Sequence, residues 1–158
     1  MILVACITIF IFIFFLFGKR NTDAPKVLYK DSGPRSRVFI NKRYGIAAKP
    51  DAILQTPDGN VGVEYKSRRQ GIYMSDIVEA KAAALAARSK YRVNLIQIKN
   101  QTESKVFPLP KRDEDLYNEI KQYKELADAA QHQLLHAEPQ PAKCRTCPVN
   151  RHCSEKPN

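Results

Sequence analysis

The chain has 158 residues, and its 26 lysines and arginines against 16 aspartates and glutamates give a formal net charge of +10. This length allows one domain of ordinary size with a real core and excludes two full domains joined by linkers. The positive charge indicates a polyanionic partner, either nucleic acid or an anionic membrane surface, and charge alone does not separate these two.

An apolar run opens the sequence. Residues 1–17 carry no charge, and Gly18, Lys19 and Arg20 follow directly. A run of about 17 to 25 apolar residues can cross a bilayer core, and here the positive charge follows the run, whereas it precedes the apolar region of a secretory signal peptide. We predict a transmembrane anchor over residues 1–18, with a cleaved signal, a soluble apolar helix and a mis-assigned start as alternatives. The positive-inside rule then predicts a single-pass protein of the inner or plasma membrane whose C-terminal domain is cytoplasmic.

The next two segments differ in composition. Residues 19–37 combine prolines and many charges with no apolar period, which predicts a basic linker. Residues 38–137 are predicted to form the core. Within them, residues 60–67 (NVGVEYKS) alternate between apolar and polar side chains, which is typical of a strand. The turn formers at residues 56–60 predict that this strand belongs to a hairpin.

The hairpin decides which charged residues meet. If Thr56 faces Val61, then Asp51 lies opposite Lys66. Because opposed residues share a face, and residues two apart on one strand do so as well, Asp51, Glu64 and Lys66 are predicted to converge on one side of the hairpin.

The rest of the core supplies two helices and two strands. An alanine-rich helix is predicted from Asp76 to about Ser89, opened by a capping box. Strands are predicted over residues 91–100 and 105–110, and an amphipathic helix over residues 113–137. The apolar residues of that last helix recur at steps of three and four: Leu116, Ile120, Tyr123, Ala127, Ala130 and Leu134. This order of elements predicts an α/β fold, a mixed sheet flanked by helices.

Two carboxylates and a lysine on one face form a candidate hydrolytic site. Mg²⁺ prefers oxygen ligands and needs one or two carboxylates besides water and substrate phosphate, which Asp51 and Glu64 can supply. Lys66 can orient the attacking water or stabilise negative charge on the phosphate. Arg68 and Arg69 leave the strand where a nucleic-acid backbone could lie, so they are predicted to bind it.

The spacing Glu-x-Lys is not specific on its own. It recurs at three other places: Glu79/Lys81, Glu103/Lys105 and Glu119/Lys121. We interpret these copies as surface charge. Only the copy at Glu64 lies on an alternating apolar strand and follows a Pro-Asp pair, although a solvated sheet face remains the alternative for it.

A cysteine-rich tail ends the sequence, over residues 138–158. Cys144, Cys147 and Cys153 form the pattern C-x2-C-x5-C. Two cysteines separated by two residues can bind one metal ion, and the third nearby supports a zinc or iron–sulfur site. Three thiolates need a fourth ligand, and incidental thiols are the alternative.

These motifs together resemble a known family. Residues 49–51 (KPD), residues 62–66 (GVEYK) and the cysteine pattern resemble the PD-(D/E)xK nuclease superfamily, and specifically the CRISPR-associated RecB-like exonucleases that carry a [4Fe–4S] cluster. The resemblance covers about residues 38–153.

The resemblance implies a fold, an activity and a set of roles. The fold is a restriction-endonuclease-like core, and the activity is Mg²⁺- or Mn²⁺-dependent exonuclease cleavage of DNA with a preference for single-stranded ends. The implied settings are CRISPR spacer acquisition, with CRISPR integrase proteins as partners, or DNA repair. Asp51, Glu64 and the backbone carbonyl of Tyr65 match the metal ligands, and Lys66 matches the catalytic lysine.

The sequence departs from that family at three points. The fourth cluster cysteine has only Cys6 as a candidate, inside the predicted anchor, so His152 with Zn²⁺ is an alternative to the iron–sulfur cluster. Every histidine of the chain follows Asp51, whereas the family places a metal-binding histidine before it. Glu79 and Ala83 stand where the family has Gln-x3-Tyr. The alternative function is therefore a weak or inactive nucleic-acid-binding module stabilised by zinc or an iron–sulfur cluster.

Overall fold

The computed structural model describes four stretches of the chain: residues 24–132, 140–145, 147 and 150–155. The chain divides into two compact units, residues 1–120 and residues 121–158. Within the described stretches, no helix is both long enough and apolar enough to cross a membrane. The predicted anchor, residues 1–18, lies outside them.

In the described residues, five strands precede the first α-helix and two more follow it. The strands are β1 (Lys26–Lys30), β2 (Phe39–Asn41), β3 (Ile46–Ala48), β4 (Ala52–Thr56), β5 (Gly59–Tyr65), β6 (Val93–Lys99) and β7 (Ser104–Pro108). The helices are α1 (Met74–Ala87), α2 (Asp113–His132) and the single turn α3 (Pro141–Cys144). Short 3₁₀ turns occur at Gly33–Arg35 and Asn150–His152.

Five of the strands form one mixed sheet. Its order is β1-β4-β5-β6-β7, and β2 pairs with β3 in a separate two-stranded sheet. The pairs β1–β4, β4–β5 and β6–β7 are antiparallel, whereas β5 and β6 are parallel. Parallel neighbours need a crossover connection, which α1 provides. The predicted α/β class with a mixed sheet flanked by helices is confirmed.

The hairpin of β4 and β5 has a tighter turn than predicted. Thr56 pairs with Gly59, which takes a φ of +119°, and Ala52 pairs with Val63. The predicted pairing of Thr56 with Val61 is therefore wrong by two residues. Because side chains on a strand alternate with a period of two, an even error leaves every side chain on its predicted face.

The first strand lies inside the predicted linker. β1 pairs with β4 along the sheet edge, and Tyr29 is buried. The hydroxyl of Tyr29 donates a hydrogen bond to the carbonyl oxygen of Arg37 at 3.1 Å. The linker prediction is therefore wrong for Lys26–Lys30. The sequence does not show this strand, because its pairing with β4 is irregular between Val27 and Tyr29 and its residues therefore do not alternate between apolar and polar.

Helix α1 covers one face of the sheet with its alanines. The buried cluster on this face includes Ile53, Ile96, Ile98, Ala80, Ala84, Leu85 and Ala87. The helix begins at Met74, two residues before the predicted start at Asp76, and ends at Ala87 rather than Ser89. Asp76 lies in the first turn, where its Oδ2 accepts a hydrogen bond from the backbone N–H of Tyr73 at 2.8 Å. The Asp76 side chain thus accepts from a backbone N–H at the start of the helix, where such groups have no partner in the helix itself.

Helix α2 confirms the last predicted helix as far as His132. Leu116 and Ile120 are buried, whereas Ala127 and Ala130 are exposed. The predicted apolar stripe is therefore buried in the first half of the helix.

This difference in burial gives a matched pair of substitutions on one helix. Leu116 has no exposed surface, and Leu126 is 56% exposed. We expect Leu116→Ala to lower the free energy of unfolding by about 3 kcal/mol because it removes buried methyl groups and leaves a cavity. Leu126→Ala should change it by less than about 0.5 kcal/mol. Urea denaturation followed by circular dichroism measures both, and equal losses would contradict the packing described for α2.

Candidate functional site

The predicted carboxylates and lysine lie at one end of the β4–β5 hairpin. The pairing of Ala52 with Val63 continues outward to set Asp51 opposite Glu64. Oδ2 of Asp51 accepts a hydrogen bond from the backbone N–H of Tyr65 at 2.7 Å. This bond fixes Asp51 beside β5, so two strands bring two carboxylates to the same edge of the sheet.

Lys66 lies between two carboxylates. Its Nζ donates to Oε1 of Glu64 at 2.9 Å and to Oε2 of Glu79 at 2.6 Å, and its side chain is 14% exposed. Its backbone N–H also donates to the carbonyl oxygen of Lys99 at 2.7 Å, which extends the contact with β6 past the end of β5. The lysine is therefore held by the sheet and by α1 together.

Glu79 is a site residue that the sequence interpretation missed. The sequence predicts surface charge at this position, and the side chain is indeed 59% exposed. Its carboxylate nevertheless contacts Lys66. A signal was present in the sequence, because Glu79 follows Asp76 by three residues and precedes Ala83 by four. Both of those residues are buried, so helical spacing places Glu79 beside the face that meets the sheet.

Glu64 is a buried carboxylate, with 8% of its surface exposed. Burial raises its pKa, and the nearby charges of Asp51 and Glu79 raise it further, while the hydrogen bond from Lys66 opposes them. Removal from water disfavours the charged form of any carboxylate. A cation placed between Asp51 and Glu64 would relieve this penalty.

Lys66 remains a cation at neutral pH. Burial lowers its pKa, but the hydrogen bonds to Glu79 and Glu64 and their charges outweigh burial, so that the pKa is raised. Lys66 is therefore suited to donate hydrogen bonds and stabilise negative charge, and is unsuited to accept a proton as a general base.

The two carboxylates present free oxygens. Within the described residues, Oδ1 of Asp51 and Oε2 of Glu64 have no hydrogen-bond partner, while the other oxygen of each is bonded. A divalent cation of the Mg²⁺ type binds through one or two carboxylates together with water and phosphate oxygens. The donor set thus fits such an ion. In the same described residues, no three His, Cys, Asp or Glu side chains come together as a metal site.

The guanidinium of Arg68 is engaged in contacts within the protein. It forms an ion pair with the buried carboxylate of Asp76 and donates from Nε to the carbonyl oxygen of Gly71 at 2.9 Å. It also lies 4.8 Å from the centroid of the Tyr73 ring. The predicted role in binding nucleic acid therefore competes with these contacts. Arg69 is exposed, and its guanidinium has no partner in the described part of the chain.

The segment that follows Lys66 is anchored by the β6–β7 turn. The carboxylate of Glu103 accepts from the backbone N–H of Gly71 at 2.7 Å and from the side chain of Asn100 at 3.1 Å. These two bonds, led by the one from Asn100, lower the pKa of Glu103. Thr102 donates to the carbonyl oxygen of Arg69 at 2.6 Å. Glu103, predicted to be surface charge, thus anchors the segment next to the site.

The cysteine tail forms a series of turns. The backbone N–H of Cys147 donates to the carbonyl oxygen of Cys144 at 3.2 Å, and that of Cys153 donates to Asn150 at 3.3 Å. All three thiols are free and partly exposed, and the structure does not bring them together as a three-ligand group among the described residues. Cys6 lies outside the described residues. The predicted cluster or zinc site stays a prediction.

No protein-family model matches the chain, and no curated protein matches it. The resemblance to PD-(D/E)xK nucleases, carried by residues 49–51, residues 62–66 and the cysteine pattern, stays a prediction.

The contrast between Arg68 and Arg69 can be tested by stability. We expect Arg68→Gln to lower the free energy of unfolding by about 2 kcal/mol, because it leaves the buried carboxylate of Asp76 without its cation. The neighbouring change Arg69→Gln should cost less than about 0.5 kcal/mol, since Arg69 is exposed. Urea denaturation of both variants at neutral pH checks the expectation, which fails if the two changes have the same effect.

Proposed function

We propose that the chain is a metal-dependent deoxyribonuclease of the PD-(D/E)xK type, an exonuclease that prefers single-stranded ends. The observation that carries the proposal is the convergence of Asp51, buried Glu64 and Lys66 at one edge of the sheet, with Lys66 at 2.9 Å from Glu64. Two carboxylates and a cation in this arrangement match the chemical needs of phosphodiester hydrolysis.

The architecture supports the same proposal. The β4–β5 hairpin is followed by the crossover helix α1 and the parallel strand β6, so the candidate site lies where β5 ends and α1 begins. We propose that this mixed sheet is a restriction-endonuclease-like core. Its topology is compatible with that fold without being specific to it.

Asp51 and Glu64 would hold the divalent cation, Mg²⁺ or Mn²⁺. When bound, such an ion supplies a water of lowered pKa and neutralises charge on the scissile phosphate. The hydrogen bond from the Tyr65 N–H directs Oδ2 of Asp51 toward β5 and leaves Oδ1 free. The carbonyl oxygen of Tyr65 is proposed as a further ligand, on the family resemblance alone.

Lys66 would act by hydrogen bonding. A lysine ammonium group has three donors, and two of them are used by Glu64 and Glu79. The third is available to orient a water molecule or to contact a phosphate oxygen. Because Glu64 and Glu79 hold Nζ in place, this donor is positioned before substrate arrives, which lowers the cost of ordering it during the reaction.

One observation favours the alternative function. Glu79 stands where the resembling family has glutamine, and it adds a second negative charge against Lys66. A lysine shared by two carboxylates offers less net positive charge to a phosphate. This contact supports a nucleic-acid-binding module with weak or absent cleavage as the second candidate.

The remaining assignments are also proposals. Cys144, Cys147 and Cys153 would hold a [4Fe–4S] cluster, or zinc with His152, and iron and zinc analysis of protein purified without oxygen tests this. Residues 1–18 would tether the protein to the inner or plasma membrane with the core in the cytoplasm. CRISPR integrase proteins are the proposed partners, by resemblance.

Cleavage of DNA is the direct test of the nuclease proposal. We expect the full chain, purified without oxygen, to degrade end-labelled single-stranded DNA in the presence of Mn²⁺ or Mg²⁺. Glu64→Ala and Lys66→Ala should each lower the rate by about 100-fold or more, since each removes a group that stabilises charge in the transition state.

The chain provides its own control for this experiment. Glu119 and Lys121 repeat the Glu-x-Lys spacing on the surface of α2, so Glu119→Ala and Lys121→Ala should leave the rate within about twofold of wild type. Absence of cleavage by folded, metal-loaded wild-type protein would reject the nuclease proposal and leave the binding module.

Metal binding can be measured apart from cleavage. Without DNA, a divalent cation at 100 times its Kd should stabilise the wild type by about 2.7 kcal/mol, which corresponds to a rise in Tm of about 5 to 10 °C for a chain of this size. Glu64→Gln, which keeps the shape of the side chain and removes its charge, should abolish most of this rise. The same rise in Glu64→Gln would place the bound ion elsewhere.

A further inference from the structure

Two adjoining concavities lie in the first unit, away from the carboxylates. One has a volume of about 630 Å³ and is lined by β1, by the segment that follows it and by Lys90 and Tyr91. The other has a volume of about 420 Å³ and is lined by Arg88, Lys90, Arg92, Lys111 and Asp113. Lys90 lines both, so the two adjoin at this side chain.

Besides Arg88, five cationic side chains line these concavities, and we call the surface that they form the cationic groove: Lys30, Arg37, Lys90, Arg92 and Lys111. All five are exposed, and none is ion-paired within the described residues. Among those residues, Asp113 is the one carboxylate that lines either concavity, and it is paired with Arg88 at 3.0 Å. The groove therefore carries positive charge that the protein does not compensate.

Aromatic contacts hold two of these cations in place. The guanidinium of Arg37 donates to the hydroxyl of Tyr91 at 3.3 Å and lies 5.1 Å from the centroid of the Phe39 ring. Nζ of Lys90 lies 5.6 Å from the centroid of the Tyr91 ring. Cation–π contacts orient a cation without neutralising it. Arg37 and Lys90 are thus positioned and still available to an anion.

The groove begins next to the candidate site. In β1, Lys30 pairs with Ala52, and the backbone N–H of Asp31 donates to the carbonyl oxygen of Asp51 at 2.7 Å. Neighbouring strands are about 4.8 Å apart, and the five residues of β1 cover about 16 Å. An extended anion bound in the groove would run along β1, from near Asp51 toward Lys90.

We propose that the cationic groove binds the phosphodiester backbone of single-stranded DNA that extends from the site at Asp51 and Glu64. The choice of DNA as the polyanion rests on the proposed function. The fold brings together cations from separate parts of the sequence. Lys30 and Arg37 precede the hairpin, and the other three follow α1. A positively charged groove that tracks the backbone is the usual means of binding single strands.

The concave shape favours a nucleic-acid strand over a membrane surface. A bilayer surface is flat on this scale and meets side chains that protrude from a protein. The cations of the groove instead surround hollows of about 630 and 420 Å³, which a single strand can enter.

Binding without cleavage tests the groove. The full chain carrying Glu64→Gln is titrated, in EDTA, against a fluorescein-labelled oligothymidylate of 20 nucleotides, and anisotropy is followed over a series of salt concentrations. The groove variant is the triple change Lys90→Gln, Arg92→Gln and Lys111→Gln. The control removes the same charge at exposed positions outside the groove: Lys42→Gln, Lys105→Gln and Lys121→Gln.

We expect the groove variant to bind at least about tenfold more weakly at low salt, and the control to stay within about threefold of the parent. Each lost phosphate contact should reduce the slope of log K against log salt by about 0.7, so the three changes should reduce it by about 2. The conservative triple Lys90→Arg, Arg92→Lys and Lys111→Arg should keep the parent affinity, which separates loss of charge from loss of fold.

Two results would overturn the assignment. Equal losses in the groove and control variants would mean that total charge, and not the groove, binds DNA. A groove variant that keeps its affinity for DNA but no longer binds phosphatidylserine vesicles would make the groove a lipid site. Because Glu64→Gln and EDTA remove cleavage from the measurement, binding that depends on the groove in a protein that never cleaves would support the groove and reject only the nuclease proposal.

Discussion

The antiparallel pairing of β4 with β5 is the constraint on which the candidate site depends. It sets Asp51 opposite Glu64, and the hydrogen bond from the Tyr65 N–H to Asp51 closes that end of the hairpin. β5 also pairs in parallel with β6, and parallel neighbours require a crossover. That crossover is α1, which brings Glu79 to within 2.6 Å of Lys66. The β4–β5 hairpin therefore positions both carboxylates and leads directly into Lys66, and the helix that follows holds Lys66 through Glu79.

Charge in the first unit is divided between two places. At the end of the hairpin, Lys66 is paired with both Glu64 and Glu79, Asp51 lies opposite Glu64, and burial raises the pKa of Glu64. The cationic groove has the opposite balance. A phosphate strand would be attracted by the groove, while at the carboxylates it would be repelled until a divalent cation was bound. The division of charge thus suits a site in which the metal ion, and not the protein alone, receives the scissile phosphate.

Local pattern predicted some of this arrangement and missed the rest for physical reasons. Alternation in β5 placed Glu64 and Lys66 on one face, and the error of two residues in the hairpin register did not matter because the period of a strand is two. β1 was missed because its irregular pairing near Leu28 breaks the alternation. The contacts of Glu79 with Lys66 and of Arg68 with Asp76 were not predicted, because each joins two different elements and short motifs do not encode such contacts. The sequence alone does not show which charged carboxylates form ion pairs in the folded protein.

The position of a bound metal ion would show directly whether Asp51 and Glu64 form a metal site. Crystals of the full chain grown with Mn²⁺ would show its site by anomalous diffraction. We expect one peak about 2 Å from an oxygen of Asp51 and from an oxygen of Glu64, with Lys66 still in contact with Glu64. Crystals that contain Mn²⁺ elsewhere and no peak between these carboxylates would contradict it, and the hairpin would then be a charged edge of the sheet without a metal site.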